Sequence, residues 1–193
     1  MFNDISSTAA LLASRRSGKP RDMVAPGPNP AQLRRILEAA MRVPDHGKLA
    51  PWRFVIIESD KRATFAELIV DAYRAENPGA GALALDPLRQ FATQAPTLVA
   101  VISSPVAHPK IPAWEQQLSA GAACMNLLTA AHAAGFVGGW LTGWASYKPM
   151  VIESLGGGAD DRIAGFIFLG TPSRELDERP RPAYEAVVST WKG

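Results

Sequence analysis

Two adjacent arginines and a serine, Arg15, Arg16 and Ser17, stand near the start of the chain. A guanidinium group is a planar fork that donates charge-assisted hydrogen bonds to two oxygens at once, and a neighbouring hydroxyl can add a third. These residue types in this order therefore indicate a phosphate site. A helix is predicted over 9–13, so the alternative interpretation is that the two cations only stabilise the negative end of its dipole.

A second group of chemically active side chains belongs to the run Met-Arg-Val-Pro-Asp-His at 41–46. Pro44 ends the preceding predicted helix, so Arg42 and His46 lie at its exit. They would form a planar, partly cationic wall, which together with a phosphate clamp suits flavin mononucleotide (FMN). A solvated loop position, or pairing with the neighbouring aspartate, is the alternative for His46.

Glycines surround a tryptophan in the run Gly-Gly-Trp-Leu-Thr-Gly at 138–143. They allow the backbone to approach a flat ligand closely, and exposed amides there could donate hydrogen bonds to it. The alternative is a glycine-rich strand end in which Trp140 is simply buried. Trp52 follows a proline at the start of a predicted strand, and its large apolar area predicts core packing rather than contact with a ligand.

The order of these motifs resembles the nitroreductase family. Its members open with an Arg-Arg-Ser type motif and carry a Pro-Trp-x-Phe step into the first core strand, which stand here at 15–17 and 51–54. The Arg-x-Pro-Asp-His run at 42–46 resembles the compact YdjA-like subgroup. The resemblance covers nearly the whole chain. It implies a homodimeric, FMN-dependent NAD(P)H oxidoreductase that reduces nitroaromatic, quinone or similar electron-poor small molecules, with the nicotinamide leaving before the acceptor enters.

The resemblance also implies which residues contact FMN. It places the first motif at the phosphate, the second beside the ring, the glycine-flanked backbone near the reactive ring nitrogen, and a C-terminal arginine back at the phosphate: Arg15, Arg16 and Ser17; Arg42 and His46; Trp140, Leu141 and Thr142; and Arg181, with Arg179 as the alternative. Relatives often have a charged or polar residue where Leu141 stands, so Leu141 would contribute only its main chain. Family members take the first and second groups from different subunits, which would place FMN in the dimer interface.

Two further interpretations remain open at this point. The same fold could carry another flavin reaction, such as dehydrogenation, flavin destruction or dehalogenation. The protein could also store or sense FMN without turnover. No catalytic side chain and no metal ligand is assigned by the sequence.

Short apolar runs at 54–57, 98–102 and 165–169 predict central strands covered by helices on both faces, and 137–142 is a further candidate strand. Asn29, Pro30 and Gln32 form a capping pattern for a helix that carries an apolar stripe. Further helices are expected near 61–74, 84–94, 116–134 and 147–155. With the resemblance, these elements predict one nitroreductase-like FMN-binding domain over 1–193, of the α+β class, with a central mixed sheet flanked by helices in three layers.

Composition excludes several other classes of protein. The 20 Lys and Arg against 18 Asp and Glu are spread along the chain and form no basic run of the kind that binds nucleic acid. Motifs for zinc hydrolysis, serine hydrolysis, nucleotide hydrolysis and Rossmann binding are missing. The single cysteine, Cys124, is expected to be a small buried hydrophobe. The apolar stretch 118–141 contains Asn126 and His132, which favour a buried helix over a membrane span, and the cytoplasm is the expected compartment.

Overall fold

The structure is a computed structural model and describes residues 3–193. Its helices are α1 (Thr8–Ser14), α2 (Pro30–Ala40), α3 (Arg62–Glu76), α4 (Ala82–Thr93), α5 (Ala113–Ala133), α6 (Pro149–Ser154) and α7 (Tyr184–Val187). Its strands are β1 (Met23–Val24), β2 (Trp52–Ile56), β3 (Thr97–Ser103), β4 (Val137–Leu141) and β5 (Arg162–Pro172).

Strand β5 is the centre of the sheet. Phe166 lies opposite both Ala100 of β3 and Leu141 of β4, so β5 is sandwiched between those two strands. β2 pairs with the other side of β3, and the short β1 pairs with the end of β5. The predicted α+β class, with helices flanking a sheet, is confirmed. Every ladder among residues 3–193 is antiparallel.

The sheet lies between two layers of helices, because side chains along the central strands point alternately to its two faces. Leu98 and Ala100 of β3 join one hydrophobic cluster with residues of α3, α4 and α6. Val99 and Val101 join a second cluster with residues of α2 and α5. Covering both faces explains why the strand runs are apolar throughout, although the strand pairs of the described residues are all antiparallel.

Helix α2 begins as its sequence predicts. The Asn29 side chain accepts a hydrogen bond from the Gln32 N–H at 2.9 Å, and the Gln32 side chain accepts one from the Asn29 N–H at 2.9 Å. This reciprocal cap satisfies two backbone donors that the helix itself leaves unpaired. The helix ends at Ala40, and the segment with Arg42 and His46 follows it.

Helix α5 packs one side against the sheet and α2. Cys124 is completely buried within it, and burial raises the pKa of its thiol to about 12, as expected for a cysteine that acts as a small hydrophobe. Among residues 3–193, no helix is both long and apolar enough to cross a membrane. An apolar stripe is exposed on the outer side of α5, formed by Trp114, Leu118 and Met125.

Some element bounds differ from prediction. The helix expected near 147–155 is the shorter α6, preceded by a 3-10 turn over Trp144–Tyr147. β5 extends beyond the predicted 165–169 in both directions because it pairs with several strands. The sequence predicts that Trp52 packs in the core, but it is only half-buried and belongs to neither hydrophobic cluster, and its indole Nε1 donates to the Ser119 hydroxyl at 3.2 Å.

Candidate functional site

A cleft of about 1030 Å³ opens where the two ends of the chain meet β4. Its walls come from the segment after α1, the end of β4, the middle of α5 and the segment 174–182. This volume lies at the upper end of the range of about 300–1,000 Å³ that is usual for small-molecule sites. All the predicted FMN contacts except Arg42 and His46 line it: Arg15, Arg16, Ser17, Trp140, Leu141, Thr142 and Arg181, together with Arg179.

Arg16 is held by the end of the helix that precedes it. Its Nη1 donates to the Ser14 carbonyl at 2.6 Å, in the last turn of α1. Its Nη2 forms an ion pair with a carboxylate oxygen of Glu178. The helix-end interpretation and the anion-binding interpretation therefore both describe this side chain, because each uses a different nitrogen of the guanidinium.

Glu178 receives a second cation from its own segment. Arg181 Nη2 lies 3.5 Å from Glu178 Oε1, while Arg181 Nη1 donates to the Arg179 carbonyl at 2.6 Å. Two guanidinium groups from opposite ends of the chain thus converge on one carboxylate. A carboxylate and a phosphate present similar oxygens to an arginine fork, so this arrangement can hold a phosphate group in place of Glu178.

Arg15 adds a third positive charge to the same region. Burial, and secondarily the nearby Arg181 guanidinium, lower the pKa of Arg15 below its ordinary value. An arginine remains cationic despite such a shift. Arg15 Nη1 also lies 3.4 Å from the Ser17 hydroxyl, at the long end of hydrogen bonding. The concentration of positive charge favours an anion in this part of the cleft.

Glycines in β4 serve the chain itself. The Gly18 N–H donates to the Gly138 carbonyl at 3.0 Å, and a Cβ on Gly139 would lie 2.6 Å from the Gly18 carbonyl oxygen. The prediction that this glycine makes room for a flat ligand is wrong for Gly139, because the segment after Ser17 fills the space. The glycine is required so that the arginine-bearing segment can lie directly against β4.

Trp140 lies across the sheet at the edge of the cleft. Its indole Nε1 donates to the Ala164 carbonyl at 3.0 Å, and its ring covers Gly165, where any Cβ would collide with it. The residue is still 37% exposed, so Trp140 is anchored but not buried. The side chain of Leu141 packs against the core cluster of the opposite face, which leaves only its main chain for the cleft. Thr142 is exposed.

Arg42 and His46 lie outside this cleft. His46 Nδ1 is 2.7 Å from Glu115 Oε2, in the first turn of α5, and both side chains are exposed. Glu115 rather than Asp45 is therefore the partner of His46. Within residues 3–193, the Arg42 guanidinium has no hydrogen-bond or ion-pair partner, although its carbonyl accepts a bond from the Asn126 amide at 3.3 Å. One chain alone does not bring the two predicted groups together.

Sequence reasoning did not select Glu178. It lies between basic residues and prolines, in a run that also fits a solvated linker, and its pairing with Arg16 links the two ends of the chain. No local pattern carries that information. Over residues 3–193, no three His, Cys, Asp or Glu side chains cluster in a way that could hold a metal ion.

The family model described as "Nitroreductase family" matches residues 12–171, most of the chain. The chain belongs to the nitroreductase family. Among curated relatives, "Putative NAD(P)H nitroreductase YdjA" of Escherichia coli strain K12 is 38% identical over 162 residues, covering 84% of this chain and 86% of the relative. A Haemophilus influenzae protein with an NAD(P)H nitroreductase name is 35% identical over 172 residues, covering 89% and 91%. The resemblance to the YdjA-like subgroup is confirmed.

Solved nitroreductase structures share the fold. A nitroreductase-like family protein from Bacillus cereus superposes with a TM-score of 0.81 at 20% identity, covering 97% of both chains. The FMN and NADPH-dependent nitroreductase NfnB from sphigopyxis sp. strain HMH gives 0.72 at 19% identity, over 97% and 99% of the two chains. A nitroreductase with bound FMN from Bacteroides fragilis gives 0.66 at 22% identity, over 94% and 96%. These matches confirm the nitroreductase-like fold.

Proposed function

We propose that residues 1–193 form a single FMN-binding domain of an NAD(P)H-dependent oxidoreductase whose acceptors are nitroaromatic, quinone or similar electron-poor small molecules. The observation that carries this proposal is the convergence of Arg16 and Arg181 on one anion inside a cleft that also contains Trp140. A clamp for a dianion beside a large aromatic edge suits a ligand with a phosphate at one end and a flat ring at the other. The family and the names of its relatives support the same conclusion.

The residues that would hold the phosphate are Arg15, Arg16, Ser17 and Arg181. The phosphate would replace the Glu178 carboxylate between two guanidinium groups, which are already oriented toward an anion. Arg181 is preferred over Arg179 because its guanidinium approaches Glu178, whereas Arg179 offers its carbonyl to Arg181. This preorganisation lowers the entropic cost of binding.

The ring would lie along the end of β4. Trp140 provides an anchored, partly exposed aromatic side chain there, and the main chain of Leu141 and Thr142 continues the same edge. Bound FMN would supply the hydride-transfer chemistry, while the protein supplies position and charge. NAD(P)H would be a transient co-substrate in this site, because the chain lacks a Rossmann fingerprint with which to hold it separately.

We further propose a homodimer in which each FMN contacts residues 15–17 of one subunit and Arg42 and His46 of the other. Support comes from Arg42 and His46, which are exposed and lie outside the cleft of their own chain. Further support comes from apolar surface that one chain leaves uncovered, on α5 and on the segment after β5: Trp114, Leu118 and Met125, and Tyr184, Val187 and Trp191. A second copy would bury this surface. The cytoplasm is the compartment we propose.

The absorption spectrum of the purified protein tests FMN binding, and anaerobic mixing with NADH or NADPH tests turnover. A bound flavin whose colour bleaches rapidly supports the enzyme. A flavin that stays oxidised would instead indicate storage or sensing, and a colourless protein that FMN cannot reconstitute would overturn the proposal. Steady-state rates with a benzoquinone and a nitrobenzoate should give the parallel double-reciprocal lines of a two-step exchange.

A further inference from the structure

A buried histidine near the end of α5 connects three separate parts of the chain. His132 is completely buried, and its Nε2 accepts a hydrogen bond from the Gly138 N–H at 3.2 Å. Its Nδ1 lies 2.6 Å from the Asn3 side-chain oxygen, and the Asn3 amide nitrogen donates to the Phe136 carbonyl at 3.1 Å. The imidazole therefore joins α5, β4 and the N-terminal segment.

These partners determine the tautomer. A backbone N–H can only donate, so Nε2 must be the unprotonated ring nitrogen, and Nδ1 carries the proton that Asn3 accepts. The ring is then neutral. Burial first, and the nearby positive charge of Arg15 second, lower the pKa of His132 to about 4. His132 consequently remains a hydrogen-bond acceptor at neutral pH.

The two polar groups of Gly138 reveal which way this part of β4 faces. Its N–H is bound to His132 and its carbonyl to the Gly18 N–H, so both point away from the neighbouring strand β5. In an antiparallel pair, main-chain groups of alternate residues point to the same side. The N–H and carbonyl of Trp140, two residues further on, therefore point to this same outer edge, along which the cleft opens.

The same edge anchors the phosphate clamp. Gly18 directly follows Ser17, and its bond to Gly138 at 3.0 Å ties the arginine-bearing segment to β4. The next residue, Gly139, lies so close to this segment that an added Cβ would be 2.6 Å from the Gly18 carbonyl oxygen. A displacement of Gly138 would therefore move both the clamp and the backbone beside Trp140.

We propose that His132 is a positioning residue of the flavin site, acting through Gly138 on the phosphate clamp at 15–18 and on the main chain of Trp140 to Thr142. This inference rests on the proposed FMN function. Without the imidazole, the buried Gly138 N–H would lack an acceptor, and β4 would shift or twist to recover one. The effect would reach FMN although His132 does not line the cleft.

His132→Leu and Leu127→Ala provide the central comparison. Leu127 is a fully buried residue of the same helix that packs in the second hydrophobic cluster, so its truncation destabilises α5 without removing a bond to β4. At equal folded fraction, FMN should bind about tenfold more weakly to His132→Leu than to Leu127→Ala. The reduction potential of bound FMN should change in His132→Leu alone. His132→Gln can restore an acceptor for Gly138 and should recover most of the affinity.

The outcomes separate this inference from the function on which it rests. Failure of the unmodified protein to bind FMN would remove both. Binding by the unmodified protein, with equal affinity and potential in His132→Leu and Leu127→Ala, would overturn the positioning role alone. If His132→Leu does not fold, the comparison passes to Asn3→Ala, which removes the acceptor of the Nδ1 proton. The ring can then carry its proton on Nε2 instead, where it no longer accepts from the Gly138 N–H. Weaker FMN binding to Asn3→Ala than to His132→Gln then supports the inference, and equal binding overturns it.

Discussion

Arg16 and Glu178 form an ion pair that joins the two ends of the chain inside the candidate cleft. The carboxylate pairs with Nη2 of the arginine that we assign to the flavin phosphate. Glu178 is therefore both a sign that the site accepts an anion and a competitor for any anion that enters it.

Glu178→Gln should bind FMN about two- to fivefold more tightly, because a half-exposed carboxylate no longer competes for the guanidinium groups. Titration of the apoprotein with FMN, followed by flavin fluorescence at constant ionic strength, measures this. Glu175→Gln is the matched control, since Glu175 lines the same cleft but has no ion pair among residues 3–193. Equal tightening in both variants would attribute the effect to net charge alone.

Arg16→Ala should weaken FMN binding about ten- to a hundredfold, corresponding to about 1.5–3 kcal/mol for a lost charged hydrogen-bond partner. Arg42→Ala should lose activity through the other subunit. When the Arg16→Ala and Arg42→Ala proteins are mixed in equal amounts and exchange subunits, half of the dimers contain one variant of each kind. Each such dimer has one intact site, so about a quarter of normal activity should return. No recovery despite demonstrated exchange would mean that both arginines serve a site within one subunit, or that an assignment is wrong.

Arg42→Met should make bound FMN harder to reduce, by about 30 mV, which for a two-electron couple equals about 1.4 kcal/mol. The substitution keeps much of the apolar stem but deletes the charge that favours the anionic reduced flavin. Spectroelectrochemistry gives the potential. Arg35→Met, an exposed change on the neighbouring helix α2, is the control, and an equal potential in both variants would assign Arg42 a structural role.

Gly139→Ala should weaken FMN binding and lower the free energy of unfolding by about 1–3 kcal/mol. The reason is direct: the new Cβ would lie 2.6 Å from the Gly18 carbonyl oxygen and push the arginine-bearing segment off β4. At Gly79 a Cβ meets nothing within 4 Å, so Gly79→Ala should change neither quantity. Urea unfolding and FMN titration of both variants measure the difference.

Acid should destabilise the fold through His132. Its pKa is about 4 when folded, against an ordinary 6.5, so the unfolded chain binds a proton between these values that the folded chain does not. The stabilisation is fully present above pH 6.5, falls by about 3 kcal/mol as the pH drops to 4, and then levels off. The difference in unfolding free energy between the natural protein and His132→Gln, measured from pH 4 to 7, isolates this effect. A pH-independent difference would contradict it.

Much of the fold can be predicted because its signals are local. The apolar runs within β3 and β5 and the Asn29 cap of α2 each specify their element within a few residues. The length of a strand depends less on local signals and more on the strands that pair with it. β5 extends to Arg162 and Pro172 because other strands pair with it there, and that pairing leaves no mark in the run itself.

The site residues likewise divide into those that local sequence signals predict and those that depend on distant parts of the chain. Residue type and order selected Arg16 and Trp140, which do line one cleft. The sequence does not single out Glu178, because its partner Arg16 lies at the other end of the chain. Gly139 was assigned to the ligand because a glycine signals close approach without saying what approaches. In the proposed dimer, the relation of Arg42 to the cleft depends on a second chain, which no pattern within one sequence can position.

The closure of the anion site by residues from both ends of the chain has a consequence for biosynthesis. A nascent chain leaves the ribosome N-terminus first, so Arg16 lacks both Glu178 and Arg181 until the segment 178–181 has been synthesised. The complete clamp can then form only after Arg181 has been synthesised. The dependence also works in reverse: limited proteolysis in the exposed stretch at 178–182 would remove the later half of the clamp while sparing the buried members of both hydrophobic clusters. Such a nicked protein would remain folded and lose its flavin.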